Sequence, residues 1–292
     1  MGDVLAGSNS TWEFETDAVL IRFERGIRAP KLLQTLGERR VPYEALSDVE
    51  LTPGSKRGTV ALRLTPRPGA DPLMDAADGQ LKEASDPYRL VLPAERETLA
   101  DYYATELRSA LPPDARKPAE RFLVAAPKPP LSFKAYDGKA SFDGSSVTFR
   151  WFWTGASSAK WKAGDQSFSV GELEEVEWRS PEVFNGHLRL RRRGEDAADR
   201  PGEADQDPSA VVFGLGYGLV HESLPFAAAV LGAIREAGPT GETVAPATPV
   251  NCARADPADI AERIRHLGEL HSAGLLTEEE FSAKKAQLLA EL

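Results

Sequence analysis

The 292-residue chain contains one cysteine, Cys252, so no disulfide can form within it. A lone thiol in a Pro/Ala-rich stretch reads as an incidental linker residue rather than a nucleophile, and it suits a reducing cytoplasm. Histidine is also scarce: His187, His221, His266 and His271. The last two are five residues apart, a poor spacing for two ligands on one helical face. No Cys/His cluster, H-E-x-x-H or G-x-S-x-G occurs, so the usual zinc and serine-hydrolase patterns have no candidate. No metal site, cofactor or catalytic residue is expected. Long apolar runs are missing too. The longest, around Leu224 to Ile234, contains Pro225 and falls short of the roughly 18 residues that a membrane-spanning helix needs. Met1-Gly2-Asp3-Val4-Leu5-Ala6 has no basic segment followed by an apolar core, so no secretory signal is expected and the expected location is the cytoplasm. Positive charge is in deficit, with 35 Lys and Arg against 45 Asp and Glu and a net charge of -10. That opposes general attraction to nucleic acid or anionic lipid, although a local basic patch can override the average.

What the chain does contain is a copy of itself. Val19-Leu20-Ile21-Arg22-Phe23 returns as Val147-Thr148-Phe149-Arg150-Trp151, and Leu46-Ser47-Asp48-Val49-Glu50 as Leu173-Glu174-Glu175-Val176-Glu177. Leu62-Arg63-Leu64 returns as Leu188-Arg189-Leu190, and Asp86-Pro87 as Asp207-Pro208. A period above 100 residues is too long for a solenoid unit and fits two copies of a whole domain.

Each copy reads as short strands followed by one helix. In the first, Trp12 to Phe14, Ala18 to Phe23, Val41 to Tyr43, Leu46 to Leu51, Thr59 to Leu64 and Tyr88 to Leu92 carry strand composition. Val60, Leu62 and Leu64 share one face, and Arg63 takes the other. Pro66 to Asp86 reads as a loop. Leu99, Tyr103, Leu107 and Leu111 fall four apart and predict a helix from Glu95 to Leu111. The second copy predicts strands at Val147 to Trp153, Phe168 to Val170, Leu173 to Trp178, His187 to Arg191 and Val211 to Phe213. A closing helix follows, striped by Phe226, Val230 and Ile234. The acidic run Gly194 to Asp207 reads as a solvated loop. Strands in runs with a helix at the end predict an antiparallel sheet packed by a helix, not βαβ units. Between the copies, Glu120 to Ala125 could form a short strand.

After Gly238 the chain reads as a Pro/Ala/Thr/Gly-rich linker and then as purely helical. Ile260, Ile264, Leu267 and Leu270 mark one face, and Thr277-Glu278-Glu279-Glu280 has capping-box spacing ahead of Phe281 and Leu288. Some 35 residues bury little core alone, so this hairpin is expected to pack on a partner, either a copy of itself or another protein.

Two resemblances follow from these residues. Asp259 to Leu292 resembles the bacterial short C-terminal domain (SHOCT), through Ile264, Leu267, Leu270, Gly274, Leu275, Thr277 to Phe281, Lys284-Lys285 and Leu288-Leu289. That resemblance implies a small oligomerisation or interaction element. The two copies resemble the domain of unknown function number 4429, which often occurs in tandem before SHOCT. Trp12-Glu13-Phe14, Arg40-Val41-Pro42 and Leu46-x2-Val49-Glu50 carry it in copy one. In copy two the carriers are Tyr136-Asp137-Gly138, Phe142-Asp143-Gly144, Ser157-Ser158-x-Lys160-Trp161 and Val176-Glu177-Trp178. The family is similar to pleckstrin-homology-like folds, two small antiparallel sheets plugged by a C-terminal helix, and the resemblance supplies no activity.

The expected fold is therefore α+β and mainly antiparallel β: two tandem pleckstrin-homology-like modules, then an α-hairpin. The expected divisions are residues 1–113, a Pro-rich connector 114–131, 132–238, a linker 239–257 and the hairpin 258–292. Three features compete for a functional role. Gly214-Leu215-Gly216-Tyr217-Gly218 lacks the spacing of a phosphate loop and reads as a connection into the closing helix. Arg189, Arg191, Arg192 and Arg193 form a basic edge that could meet anionic lipid or nucleic acid, or simply be solvated. Phe149, Trp151 and Trp153 alternate onto one face of a Trp-rich strand, buried or recognising a protein segment. The expected function is a non-enzymatic interaction or scaffold protein. Its partner-binding candidates are Leu267, Leu270, Leu275, Phe281, Leu288, Trp151 and Trp153. The partner is a protein or the chain itself through the hairpin; a membrane surface is the alternative, and nucleic acid is not expected.

Overall fold

In the first copy, alternating residues build an antiparallel sheet of β1 (Asp3–Ala6), β2 (Ser10–Phe14), β3 (Ala18–Phe23) and β4 (Glu38–Pro42), in that order. Leu5, Trp12, Val19, Ile21 and Val41 point inward and are buried. A three-stranded sheet of β5 (Leu46–Pro53), β6 (Thr59–Pro66) and β7 (Arg89–Pro93) faces the same core. The short helix α1 (Lys31–Leu36) precedes β4, α2 (Pro72–Ala77) lies between β6 and β7, and α3 (Glu97–Ala110) closes the unit. The second copy repeats the plan: β8 (Leu131–Lys134), β9 (Gly138–Phe142) and β10 (Ser146–Trp151), then α4 (Ser158–Ala163) and β11 (Gln166–Ser169) complete a four-stranded sheet. The strands β12 (Leu173–Arg179), β13 (His187–Arg192) and β14 (Ala210–Val212) form the three-stranded one, and α5 (Val220–Ala237) closes it. The chain is thus α+β and mainly antiparallel β. Each copy thus has a four-stranded and a three-stranded antiparallel sheet followed by a closing helix. This computed structural model describes residues 3–27, 29–195 and 201–238, together with Ser282. The linker 239–257, with Cys252, lies outside the described residues, as does the hairpin 258–292 apart from Ser282.

The echo of Asp86-Pro87 in Asp207-Pro208 has a structural cause. Asp86 accepts from the Tyr88 amide at 2.9 Å and pairs with Arg63 on the adjacent strand at 3.4 Å. Asp207 accepts from the Ser209 amide at 2.8 Å and pairs with Arg189 at 3.0 Å. Each aspartate turns the chain into the last strand of its sheet and pairs with an arginine of the neighbouring strand.

The two copies share one compact unit, residues 1–239. The expected loop Pro66 to Asp86 contains α2, started by Asp71, whose carboxylate accepts from the Leu73 amide, with Pro72 in the first turn. Leu32 of α1 and Leu73, Ala76 and Ala77 of α2 are buried in the second copy's core, against α5. This explains why α5 buries Leu224, Ala227 and Ala228 besides the expected stripe of Phe226, Val230 and Ile234. A helix apolar on all sides must be covered on all sides. Its first turn precedes Pro225, which the helix accommodates. Gln80 stitches the copies further, donating to the Trp178 carbonyl at 3.0 Å and accepting from the Ser180 amide at 2.9 Å.

Three local expectations need correction. Glu120 to Ala125 is no strand: the Leu123 and Val124 amides both donate to the Ala70 carbonyl, which holds the segment in irregular form. Leu99 is 43% exposed, and Ala100 and Ala104 join Tyr103 and Leu107 on the buried face of α3. The strand expected over Val147 to Trp153 ends at Trp151, where the Phe152 amide turns to the Asp137 carbonyl.

Candidate functional site

That early turn separates two tryptophans which strict alternation would place together. Trp151 is buried in the second core and donates its indole N–H to the Gly164 carbonyl at 2.7 Å. Trp153 lies beyond the strand end, 46% exposed, in an edge-on contact with Trp161 at 4.9 Å between centroids. Close packing fixes this corner. A Cβ on Gly155 would sit 2.2 Å from the Tyr136 carbonyl oxygen, so only glycine lets the two segments touch. Ser157 caps α4 by accepting from the Lys160 amide, and its hydroxyl donates to the Asp205 carbonyl at 2.6 Å.

One turn into α4 the Lys160 ammonium is fully buried, bonded to the Asp137 carboxylate and 5.0 Å from the centre of the Trp151 ring. The second Asp137 oxygen accepts from the Val212 amide at 2.9 Å. Burial pushes the Asp137 carboxyl up and the Lys160 ammonium down, each against the attraction of its partner. The pair therefore ties α4 to the turn after β8 and to β14. The rings of Trp153, Trp161, Tyr136 and Tyr217 are exposed, the two tyrosines edge-on at 6.4 Å.

A second exposed feature lies where the copies meet. A groove of about 700 Å³ runs between Leu32, Leu81 and Lys82 of the first copy and the 180–186 and 214–221 segments of the second. Val183, Phe184 and Leu215 stand at its rim, Phe184 85% and Leu215 101% exposed. The 180–186 turn is held by Gln80, by the Lys82–Glu182 ion pair at 2.7 Å and by Asn185 at a positive φ of 60°. Its shape does not depend on the aromatic side chain that it displays.

The other expected features resolve as follows. Arg189 meets Glu177 and Asp207, and Arg191 meets Glu174 and Glu175. Arg192 lies over the Phe168 ring, and Arg193 donates to the Gly171 and Gly238 carbonyls. The basic edge is thus largely engaged within the chain. Gly214 to Gly218 forms a tight reversal whose Gly218, at a φ of 65°, packs on the Phe213 ring. His187 lies on β13 and faces Glu177 at 3.3 Å; His221 lies in the first turn of α5. Leu267, Leu270, Leu275, Phe281, Leu288, His266 and His271 lie outside the described residues. Sequence reasoning missed Phe184, Leu215 and the Lys160–Asp137 pair. A signal for the pair was present, since Tyr136-Asp137-Gly138 and Ser157-Ser158-x-Lys160-Trp161 both carry the family resemblance.

The family profile described as Domain of unknown function (DUF4429) matches residues 12–108 and 140–231, one match in each copy of the fold. The chain belongs to the DUF4429 family. The Short C-terminal domain profile matches residues 262–289. No curated protein matches the chain. In this DUF4429 chain both matched segments start inside the four-stranded sheet and end in the closing helix, so the family unit is the whole sheet–sheet–helix module. Among the described residues, no three His, Cys, Asp or Glu side chains converge as a metal site, and no helix is long and apolar enough to cross a membrane.

Proposed function

We propose that this protein is a non-enzymatic interaction or scaffold protein of the cytoplasm. Its fused β modules hold a protein or peptide ligand, and its C-terminal hairpin, through Leu267, Leu270, Leu275, Phe281 and Leu288, mediates self-association or docking. The supporting observation is the inter-copy groove, whose rim carries Val183, Phe184 and Leu215 in solvent on a turn that is independently braced. Exposed aromatic and aliphatic side chains beside an apolar channel are what a peptide's side chains pack into. Trp153 and Trp161 extend the exposed apolar surface of the same copy, while Trp151 serves the core.

Two measurements test this reading. Light scattering compares the full chain with one ending at Pro249; self-association of the full chain alone supports the hairpin's role, and two monomers overturn it. Affinity capture compares the natural chain with a Phe184→Ser/Leu215→Ser variant. A partner retained equally by both removes the groove from the proposal. The Arg189 to Arg193 edge, the membrane alternative, has most of its charge committed to Glu174, Glu175, Glu177 and Asp207.

A further inference from the structure

Asp3 stands where the alternation of the first sheet calls for an apolar residue. It shares the inward row of β1 with the buried Leu5 and lies opposite Phe14, which shares the inward row of β2 with the buried Trp12. A cleft of about 270 Å³ opens where this row meets α3. Tyr102, Glu106 and Ala110, four apart on α3, line it from the helix side, and Asp3, Phe14 and Glu15 line it from the sheet side. Phe14 stacks on Tyr103 at 4.2 Å with 10° between the ring planes. Tyr102 meets Tyr103 at 5.3 Å and 70°, so these rings form a corner.

Three polar groups of this cleft have no use within the fold. The Asp3 and Glu106 carboxylates take part in no hydrogen bond or ion pair among the described residues, whereas Glu15 holds Arg40 at 2.9 Å. Tyr103 is only 9% exposed. Its hydroxyl has no hydrogen-bond partner among the described residues and is not sealed from solvent, so it opens into the cleft. Burial raises the Tyr103 phenol, and the Asp3 charge adds to that. Tyr43, also in the lining, differs: its hydroxyl donates to the Glu15 carbonyl at 2.6 Å. The second copy fills the same corner with hydrocarbon. Leu131 lies opposite Phe142 as Asp3 lies opposite Phe14, and Phe226 of α5 meets Phe142 at 6.2 Å where Tyr103 meets Phe14. Three residues further along the helix, Ala229 takes the place of Glu106. Phe142, Phe226 and Ala229 are buried. The fold thus closes this corner without polar groups, and the first copy sets like charges near one another with no gain to its packing.

We propose that the cleft between β2 and α3 is a binding site for a guanidinium group. Its N–H donors match the free acceptors, a carboxylate on each side and a phenolic oxygen between them, and charge-assisted bonds of this kind are the strong ones. Its flat, weakly hydrated face stacks on aromatic rings, which a compact, strongly hydrated ammonium does less well. The cleft shares no lining residue with the inter-copy groove, so this site does not depend on the reading of that groove.

Saturation-transfer NMR titration of the full chain with methylguanidinium tests the proposal, with tetramethylammonium and methylammonium at equal ionic strength as comparison cations. Methylguanidinium is expected to bind more tightly than either. Asp3→Asn/Glu106→Gln is expected to weaken it by about tenfold or more, the loss of charge-assisted bonds, with the melting temperature unchanged or raised. Tyr102→Leu is expected to weaken it by about threefold, the loss of a stacking face. Glu97→Gln/Asp101→Asn removes the same charge from α3 outside the cleft and is expected to leave the affinity within about twofold. A short peptide carrying one arginine serves as a separate arm. Tighter binding of the peptide makes the ligand an arginine side chain of a partner, equal binding makes it a free guanidinium compound, and either result upholds the site. The proposal is overturned by equal affinity in the natural chain and the Asp3→Asn/Glu106→Gln variant, by equal binding of methylguanidinium and tetramethylammonium, or by no saturation transfer at about 10 mM, a concentration that would reveal even a weak surface site.

Discussion

Lys160 is fully buried against Asp137, and this one pair joins the helix that carries Trp161 to the turn that carries Tyr136. Removing one partner strands the other charge in the interior. Lys160→Met is therefore expected to cost about 3–5 kcal/mol, and Asp137→Asn/Lys160→Met to recover much of that. Urea unfolding followed by tryptophan fluorescence measures both. Equal losses in the single and double variants would mean that α4 is held by other contacts.

Leu73 belongs by sequence to the first copy and by packing to the second core. Leu73→Ala is expected to cost about 2–5 kcal/mol and to lower both copies together in one transition, because α5 loses its cover. Two separated transitions in calorimetry would show instead that the copies unfold independently.

The rim of the groove predicts the opposite pattern. Phe184 and Leu215 are exposed, so Phe184→Ser/Leu215→Ser is expected to change stability by no more than about 0.5 kcal/mol per site. Loss of a captured partner without loss of stability would separate a binding role from a structural one. A large drop in melting temperature would place these side chains in the fold's own packing.

Tyr88 gives the fold an alkaline limit. Burial, reinforced by the adjacent Asp71 carboxylate that accepts its hydroxyl at 2.6 Å, raises its phenol well above the usual value of 10.0. The folded chain keeps this proton where the unfolded chain releases it. The stability so contributed is complete below pH 10 and is lost as pH rises towards the folded value. Tyr88→Phe is expected to flatten stability against pH above 10, at a neutral-pH cost of about 1–3 kcal/mol for the lost bond. Unfolding curves from pH 8 to 11 measure the slope, and identical slopes in both chains would remove Tyr88 as its source.

Much of this was legible from spacing alone. The alternation of Val19, Ile21 and Phe23 and of Val147, Phe149 and Trp151 placed β3 and β10, and the Asp-Pro echo marked the entry to the last strand of each module. The edge strands β1 and β8 were not legible, since Asp3–Ala6 and Leu131–Lys134 are four residues long and carry too little pattern. The helix α2 was hidden because Pro, Gly and Asp around it read as loop, although Asp71-Pro72 is a helix start. Trp153 was placed on the strand face because alternation has no signal for where a strand stops. The groove was invisible, since its walls come from segments about 100 residues apart.

By itself the sequence determined the duplication, the antiparallel strands and the closing helices, because two-residue and four-residue spacings dictate which side chains share a face. Only the tertiary structure decided that the modules fuse through α5 and that Trp151 and Trp153 part company. Those outcomes depend on which strands lie side by side, and pairing across a sheet is a contact between residues that no local spacing brings together.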